Sequence, residues 1–157
     1  MTHHAIHRRQ VLLGAVALAA APAALSAQGV AAVHVLKDPK CGCCNAWIAI
    51  LQREGFRVTS ETSFGTALFR QKAARGIPPA MASCHTADVG GYVVEGHVPP
   101  ADIRRLLAER PDAVGLAVPG MPYGSPGMGP EDRREAYDVY LIRHDGTTEV
   151  FASYEAA

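Results

Sequence analysis

Three cysteines lie within four residues in the string Cys41-Gly42-Cys43-Cys44, and they are the side chains best suited to chemistry in this chain. An apolar run, residues 33–36, precedes them, and Trp47, Ile50 and Leu51 follow at helical spacing. This pattern predicts a strand, a thiol cluster and then a helix. Thiols at a helix N-terminus face unpaired backbone N–H groups and the positive end of the helix dipole, which favour the thiolate. Because thiolates attack disulfides and bind metals, the cluster predicts redox or metal chemistry.

Redox chemistry is the first interpretation, because Cys41 and Cys44 have the C-x-x-C spacing of thiol–disulfide oxidoreductases. Cys43 beside this pair and a fourth cysteine, Cys84, have no role in a simple dithiol mechanism. Two structural disulfides are a second interpretation of four cysteines in an exported chain. The close spacing argues against it, because structural disulfides in small secreted domains usually close long loops. A soft-metal site is the third interpretation.

The candidate metal ligands all carry sulfur or imidazole donors, and they are Cys41, Cys43, Cys44, Cys84, His85, His97, Met121 and Met128. His85 adjoins Cys84, His97 precedes a predicted helix, and both methionines follow a Pro-Gly pair in a flexible stretch. Four ligands suffice for a closed zinc site, whereas thiolates and thioethers select Cu(I). Thiolates two and three residues apart at a helix start can also share metal ions. The donor set therefore favours one or more thiolate-bridged Cu(I) ions over zinc.

Residues 1–27 have the features of an export signal: the pair Arg8-Arg9, an apolar run over residues 11–21 and small residues up to Ala27. The arginine pair resembles a twin-arginine leader, and an ordinary secretion signal stays open as the alternative. We predict cleavage near Ala27 and a periplasmic mature protein without a membrane span, because the run is too short and alanine-rich. The leader has two arginines and no acid, so the mature chain has a net charge of −2. No basic run indicates a nucleic-acid partner.

The order of the predicted elements in residues 28–157 is strand, helix, strand, helix, hairpin, helix. This is the α/β, thioredoxin-like order (βαβαββα) of a single domain, with the cysteines between the first strand and helix. We predict the first helix over residues 43–54, and the second from a cap at Thr62 or Ser63 to Gly76, with Phe64, Ala67 and Leu68 inward. The third begins at Pro100. In that fold a proline, often cis, precedes the first hairpin strand, and Pro78 or Pro79 is the candidate.

The stretch of residues 115–129 contains five glycines, three prolines and two methionines. Its composition predicts a Gly/Pro/Met loop, neither a helix nor a central strand. A loop of this length in a compact domain is usually functional or disordered. Alternating residues on either side of Asp145-Gly146 then predict a C-terminal β-hairpin.

Several strings resemble one bacterial family: Cys41-Gly42-Cys43-Cys44 with Trp47, Gly76-Ile77-Pro78, Ser83-Cys84-His85-Thr86-Ala87, residues 91–99, residues 115–122 and residues 124–128. Together they resemble the CopG-type copper-tolerance proteins, long known as a domain of unknown function. The resemblance extends over roughly residues 33–151, which is nearly the whole predicted mature chain.

The resemblance implies a periplasmic thioredoxin-like domain that binds copper through its C-x-C-C cluster and acts in copper resistance. A cysteine-bridged multi-copper cluster is known in the family. The family thiols match Cys41, Cys43, Cys44 and Cys84, and the recurring strings include His85, His97, Met121 and Met128. The implied partners are copper ions and other periplasmic copper-handling proteins. Storage, delivery and copper redox chemistry all stay open as activities.

Overall fold

The computed structural model describes residues 31–157. The predicted leader lies outside these residues, so the export signal, its arginine pair and cleavage near Ala27 stay predictions. The helices are α1 (Gly42–Arg53), α2 (Gly65–Ala74) and α3 (Pro100–Glu109). The strands are β1 (Ala32–Lys37), β2 (Arg57–Thr62), β3 (His85–Val89), β4 (Tyr92–Glu95), β5 (Gly115–Ala117), β6 (Tyr137–Ile142) and β7 (Thr148–Tyr154). None of the helices in residues 31–157 has the length and hydropathy of a membrane span.

The seven strands form one mixed sheet in the order β2-β1-β3-β4-β5-β6-β7. The pairs β1–β2 and β4–β5 are parallel, and all other neighbours are antiparallel. The predicted α/β class is confirmed, and the element order from β1 to α3 is consistent with a thioredoxin-like fold. The predicted C-terminal hairpin is present as β6–β7 and extends one edge of the sheet.

The main core forms where α1 and α3 pack on the sheet. Trp47 and Leu51 of α1 and Ile103 and Leu106 of α3 are fully buried against residues of the sheet such as Val35. Successive side chains of a strand point to opposite faces. Leu116 accordingly joins this core, whereas its neighbour Ala117 belongs to a second cluster with Ile77 and Ile142. Both faces of the sheet are therefore buried, and the site is built on this sheet.

One prediction for residues 115–129 is wrong, because Gly115–Ala117 form β5, a central strand between β4 and β6. These three residues contain no proline, so each can take part in the hydrogen-bond ladder. Gly115 is needed there, since a Cβ at this position would lie 1.7 Å from the Val93 carbonyl oxygen. Residues 118–129 form the Gly/Pro/Met loop, apart from an isolated bridge between Gly120 and Ser83.

The predicted start of α2 is also wrong. Thr62 still pairs with Lys37 in β2, and the N–H of Ser63 donates to the Lys37 carbonyl, so neither residue caps the helix. Phe64 takes the extended N-cap conformation and is 67% exposed, and Ala67 is exposed too. Only Leu68 of the three residues expected inward is buried.

The cis proline expected before the hairpin is not present, since all described peptide bonds are trans. Pro78 is extended, with φ −63° and ψ 144°, and it leads into a short 3-10 turn, Pro79–Met81. The fixed φ of proline suits the first position of such a turn, which explains Pro79 without an isomer change. The turn delivers the chain to Cys84 and the start of β3.

Candidate metal centre

The first turn of α1 presents three of the four sulfurs. Cys41 is the N-cap residue, and its Sγ accepts a hydrogen bond from the N–H of Cys44 at 3.2 Å. The preceding turn is fixed by Asp38, which accepts the N–H of Lys40 with its side chain and that of Cys41 with its carbonyl. The predicted placement of the thiols at a helix N-terminus is therefore confirmed.

Cys84, which is distant in sequence, lies beside the three cysteines at the start of α1, as expected from its position after the proline segment. Its Sγ lies 3.6 Å from that of Cys44 and 3.9 Å from that of Cys43. Cys43 is in turn 3.4 Å from Cys41, sulfur to sulfur. All four sulfurs lie within 4.8 Å of one another, which is close enough for them to share metal ions.

Cys41 and Cys44 are joined by a disulfide, whereas Cys43 and Cys84 are free thiols. Among the described residues there is thus one disulfide, not the two of a fully stapled domain. A disulfide sulfur is a poor metal ligand because the thiolate is the binding form. The donor set therefore depends on redox state, with two free thiols in this form and four after reduction.

Both predicted histidines lie against Cys84 and are fully buried. The Nε2 atom of His97 is 3.1 Å from Cys84 Sγ, and the Nδ1 atom of His85 is 3.3 Å from the same sulfur. The His85 ring packs on Trp47, with 4.4 Å between ring centroids, so the core side chain of α1 also supports the site. Cys84 consequently belongs to both donor groups, the four sulfurs and the Cys84–His85–His97 set.

A backbone carbonyl determines which nitrogen of His97 is available. Nδ1 lies 2.8 Å from the Pro126 carbonyl oxygen, and because that oxygen can only accept, Nδ1–H donates. In the neutral ring Nε2 then carries the lone pair, and it faces Cys84. Such a hydrogen bond from the second nitrogen is the usual way in which a metal-binding histidine is oriented.

Burial favours the neutral forms of Cys84 and of the two histidines around it. It lowers the pKa of His85 well below the usual value, with a further contribution from His97. It also lowers the pKa of His97, partly offset by the bond to Pro126. Burial, followed by the nearby Cys43, raises the pKa of the Cys84 thiol to about 12. Both imidazoles can thus offer lone pairs at neutral pH, whereas a metal ion must displace the proton of Cys84.

The depressed pKa of His85 predicts a loss of stability in acid. The unfolded chain takes up a proton near pH 6.5 but the folded protein does not, so the contribution is present above that pH and is lost as the pH falls through the folded pKa. We expect His85 alone to lower the free energy of unfolding of the metal-free protein by up to about 1.4 kcal/mol per pH unit below this value. Urea titrations from pH 7.5 to 5 measure it. His85→Gln should flatten the dependence.

The Gly/Pro/Met loop contacts the first turn of α1. A Cβ on Gly127 would lie 2.7 Å from the backbone nitrogen of Trp47 and 3.0 Å from the Cys43 carbonyl oxygen, so only glycine allows this approach. Met128 follows directly and is half-buried, while Met121 follows Gly120, the residue bridged to Ser83, and is 54% exposed. Both methionines adjoin segments that contact the cluster, and their role as ligands stays a prediction.

Gly127→Ala is expected to destabilise the protein by about 1–3 kcal/mol, because the new methyl group must push the loop off α1 and because φ there is +87°. The shift also moves Pro126 away from His97. Gly42→Ala is the matched control: it is on α1 and has no atom within 4 Å of its added Cβ, so its stability should be unchanged or slightly higher. Urea unfolding of the metal-free proteins measures both. Equal stability of the two variants would contradict the described loop contact.

The sequence did not reveal a buried ion pair beside the site. Lys72 of α2 and Glu95 of β4 are 2.5 Å apart, Nζ to Oε1, and both are buried. Burial raises the pKa of Glu95, and the Lys72 ammonium opposes this shift. A lysine in a helix and a glutamate at a strand end are both typical of solvated surfaces. No pattern in either segment distinguishes this pair from such residues.

Four cysteine sulfurs and two buried imidazoles near the start of the first helix give this α/β protein a cluster of soft donors that could hold a metal ion. The chain is 47% identical to a solved structure, "Copper resistance protein copG- Form 2", with a TM-score of 0.74, covering 79% of this chain and 98% of that one. It is 46% identical to Form 1 of the same protein, with a TM-score of 0.74, covering 80% and 98%. The chain therefore belongs to the CopG family.

Other comparisons agree or are silent. The family described as "Protein of unknown function, DUF411" matches residues 81–128. This segment includes Cys84, both histidines and the Gly/Pro/Met loop up to Met128, but not the three cysteines at the start of α1. No curated protein matches the chain.

Proposed function

We propose that the protein binds copper as part of bacterial copper tolerance and holds it as Cu(I) in a thiolate-bridged cluster of several ions. The convergence of the four sulfurs within 4.8 Å, with two buried imidazoles on Cys84, carries the proposal. Its structural relatives are two forms of a copper resistance protein, which supports the choice of metal.

The donor chemistry supports Cu(I) over zinc. Thiolates are soft ligands that select Cu(I), and a closed zinc site uses four ligands. The reduced centre offers six donors, and Cys84 belongs to two of its ligand groups, so one ion would leave donors unused. A sulfur between two groups can bridge two ions. These features favour more than one Cu(I) per chain, with the methionines of the loop as additional candidates.

Anaerobic loading of the reduced protein with Cu(I), followed by removal of loose metal and counting of copper per chain, tests the proposal. We expect more than one tightly held copper ion per chain. Cys41→Ser should lower both the copper content and the affinity, because it removes one of the clustered sulfurs. Less than one tightly held copper in the wild-type protein would contradict the proposed function.

Export to the periplasm is a further part of the proposal, and it is supported by the composition of residues 1–27. Cell fractionation followed by N-terminal sequencing of the mature protein tests it. We expect the protein in the periplasmic fraction, with a mature N-terminus near residue 28. A full-length chain in the cytoplasm would contradict this part of the proposal without affecting the metal site.

The second candidate function is thiol–disulfide exchange, which the disulfide between Cys41 and Cys44 favours. Cys43 lies within 4 Å of Cys41, and Cys84 lies within 4 Å of Cys44, sulfur to sulfur. These free thiols argue against a simple dithiol enzyme because they can trap mixed disulfides. An insulin-reduction assay separates the functions. A copper-binding protein should show little turnover, and less still when loaded, whereas an oxidoreductase should turn over and lose activity in Cys41→Ser.

A further inference from the structure

The buried pair Lys72–Glu95 lies beside the metal centre without belonging to its donor set. The two side chains are 6% and 0% exposed. Desolvating two charges costs several kcal/mol per ion, so a buried ion pair is by itself weak support for stability. The hydrogen bonds that the pair makes indicate what else it does.

The carboxylate oxygen that receives Lys72 also holds the backbone before Cys84. Oε1 of Glu95 accepts the N–H of Ser83 at 2.6 Å, and the Ser83 hydroxyl donates to the Gly120 carbonyl. One oxygen atom thus connects α2, β4 and the segment that carries Cys84. The next residue, Gly96, also approaches Ser83 closely, since a Cβ on Gly96 would lie 2.6 Å from the Ser83 side chain.

This anchor matters because Cys84 lies between regular elements. The 3-10 turn ends at Met81, and β3 begins at His85. The position of the Cys84 sulfur, 3.6 Å from that of Cys44, therefore depends on how the backbone at residues 82–84 is held. The Ser83 N–H is partly buried, so the loss of its acceptor carries a free-energy penalty, and the segment would move to satisfy it.

We propose that Glu95 is a positioning residue of the metal centre: its Oε1 anchors Ser83 so that Cys84 Sγ stays against the other sulfurs, while Lys72 neutralises the buried carboxylate. As a statement about copper binding, this rests on the proposed function. As a statement about the thiols, it does not, because the same anchor sets the effective concentration of Cys84 toward Cys43 in the metal-free protein.

Two double variants separate the anchor from the ion pair. Lys72→Met/Glu95→Gln removes both charges but keeps a side-chain oxygen that can accept the Ser83 N–H. The NH2 group of the new glutamine can donate to Thr86, which faces position 95 across the hairpin. Lys72→Met/Glu95→Leu removes both charges and the acceptor. Replacing a buried ion pair by apolar residues is often neutral or stabilising, so both variants should fold. Urea unfolding of the metal-free proteins checks this.

The first readout is Cu(I) affinity, measured by competition with a Cu(I) chelator. The second needs no metal: in a Cys41→Ser/Cys44→Ser background, the Cys43–Cys84 disulfide is equilibrated with glutathione, which gives the effective concentration of the two thiols. We expect the Gln variant to match the wild type in both readouts. We expect the Leu variant to be weaker by about tenfold or more in both.

Equal behaviour of the Gln and Leu variants, whether both match the wild type or both are weakened, would overturn the positioning role. A Leu variant that fails to fold while the Gln variant folds also overturns it, because the acceptor is then required for the fold as a whole. If the wild type itself binds no Cu(I), the proposed function fails, and the disulfide equilibrium still decides whether Glu95 positions Cys84.

Discussion

Cys84→Ser is expected to weaken Cu(I) binding by more than about a hundredfold, beyond the 10–100-fold that changes next to metal ligands usually cost. The reason is that its sulfur is shared by both donor groups, so the variant disconnects the α1 thiols from the two histidines. Chelator competition on the reduced protein measures the affinity, and metal analysis gives the copper per chain.

Cys43→Ser is the matched comparison, because Cys43 belongs to the sulfur group alone. It should lower the copper content but leave a Cys84–His85–His97 site that still holds an ion. If Cys84→Ser binds as much copper as the wild type, or loses less copper than Cys43→Ser does, Cys84 does not bridge the two groups.

Oxidation of Cys41 and Cys44 is expected to reduce the copper content from several ions per chain to at most one. The disulfide occupies two of the four sulfurs, and the donors left are Cys43, Cys84 and the two histidines. These four can complete a single site, whereas a bridged cluster needs more thiolates than they supply. Copper per chain, measured before and after treatment with a thiol reductant under anaerobic conditions, tests this dependence.

The double variant Cys41→Ser/Cys44→Ser is the control for this experiment. With Cys43 and Cys84 kept as free thiols, it has the same donors as the oxidised protein, so its copper content should match that of the oxidised wild type. If the oxidised and reduced wild-type proteins hold the same number of copper ions, the sulfurs of Cys41 and Cys44 are not ligands.

The local parts of this structure follow from the sequence. The apolar spacing after Cys44 predicted α1 nearly to the residue, and Gly55, in a left-handed conformation with φ +87°, follows its end. The thiols at the helix start and the β6–β7 hairpin depend on neighbouring residues alone. Such features are determined by short-range periodicity and turn chemistry, which a single sequence shows directly.

The non-local parts did not follow. β5 has only three residues, and it becomes a strand because β4 and β6 pair with its two edges. The tautomer of His97 depends on the Pro126 carbonyl, 29 positions away, and any residue type has such a carbonyl. Lys72 and Glu95 look like surface residues until the fold buries them together. Contacts made by backbone atoms and by common charged side chains leave no pattern in the sequence.

The site lies between these cases. The C-x-C-C spacing indicated the thiol cluster, and the fold order placed Cys84-His85 near it, as the sulfur distances confirm. The contact of His97 with the same sulfur could not be predicted in this way. It depends on how the chain turns before α3, where Trp47 donates to the Val98 carbonyl. The methionines remain predicted ligands. They lie in a loop outside the regular elements, and its position depends on close approaches at glycines.

X-ray absorption at the copper edge of the reduced, Cu(I)-loaded protein tests the central claim most directly, because it reports oxidation state, ligand atoms and neighbouring metal ions together. We predict a Cu(I) edge, ligation dominated by sulfur with a minor nitrogen contribution from His85 and His97, and scattering from a second copper ion. Ligation by nitrogen and oxygen alone, or isolated copper ions without sulfur neighbours, would contradict the proposal that the four clustered cysteines hold copper.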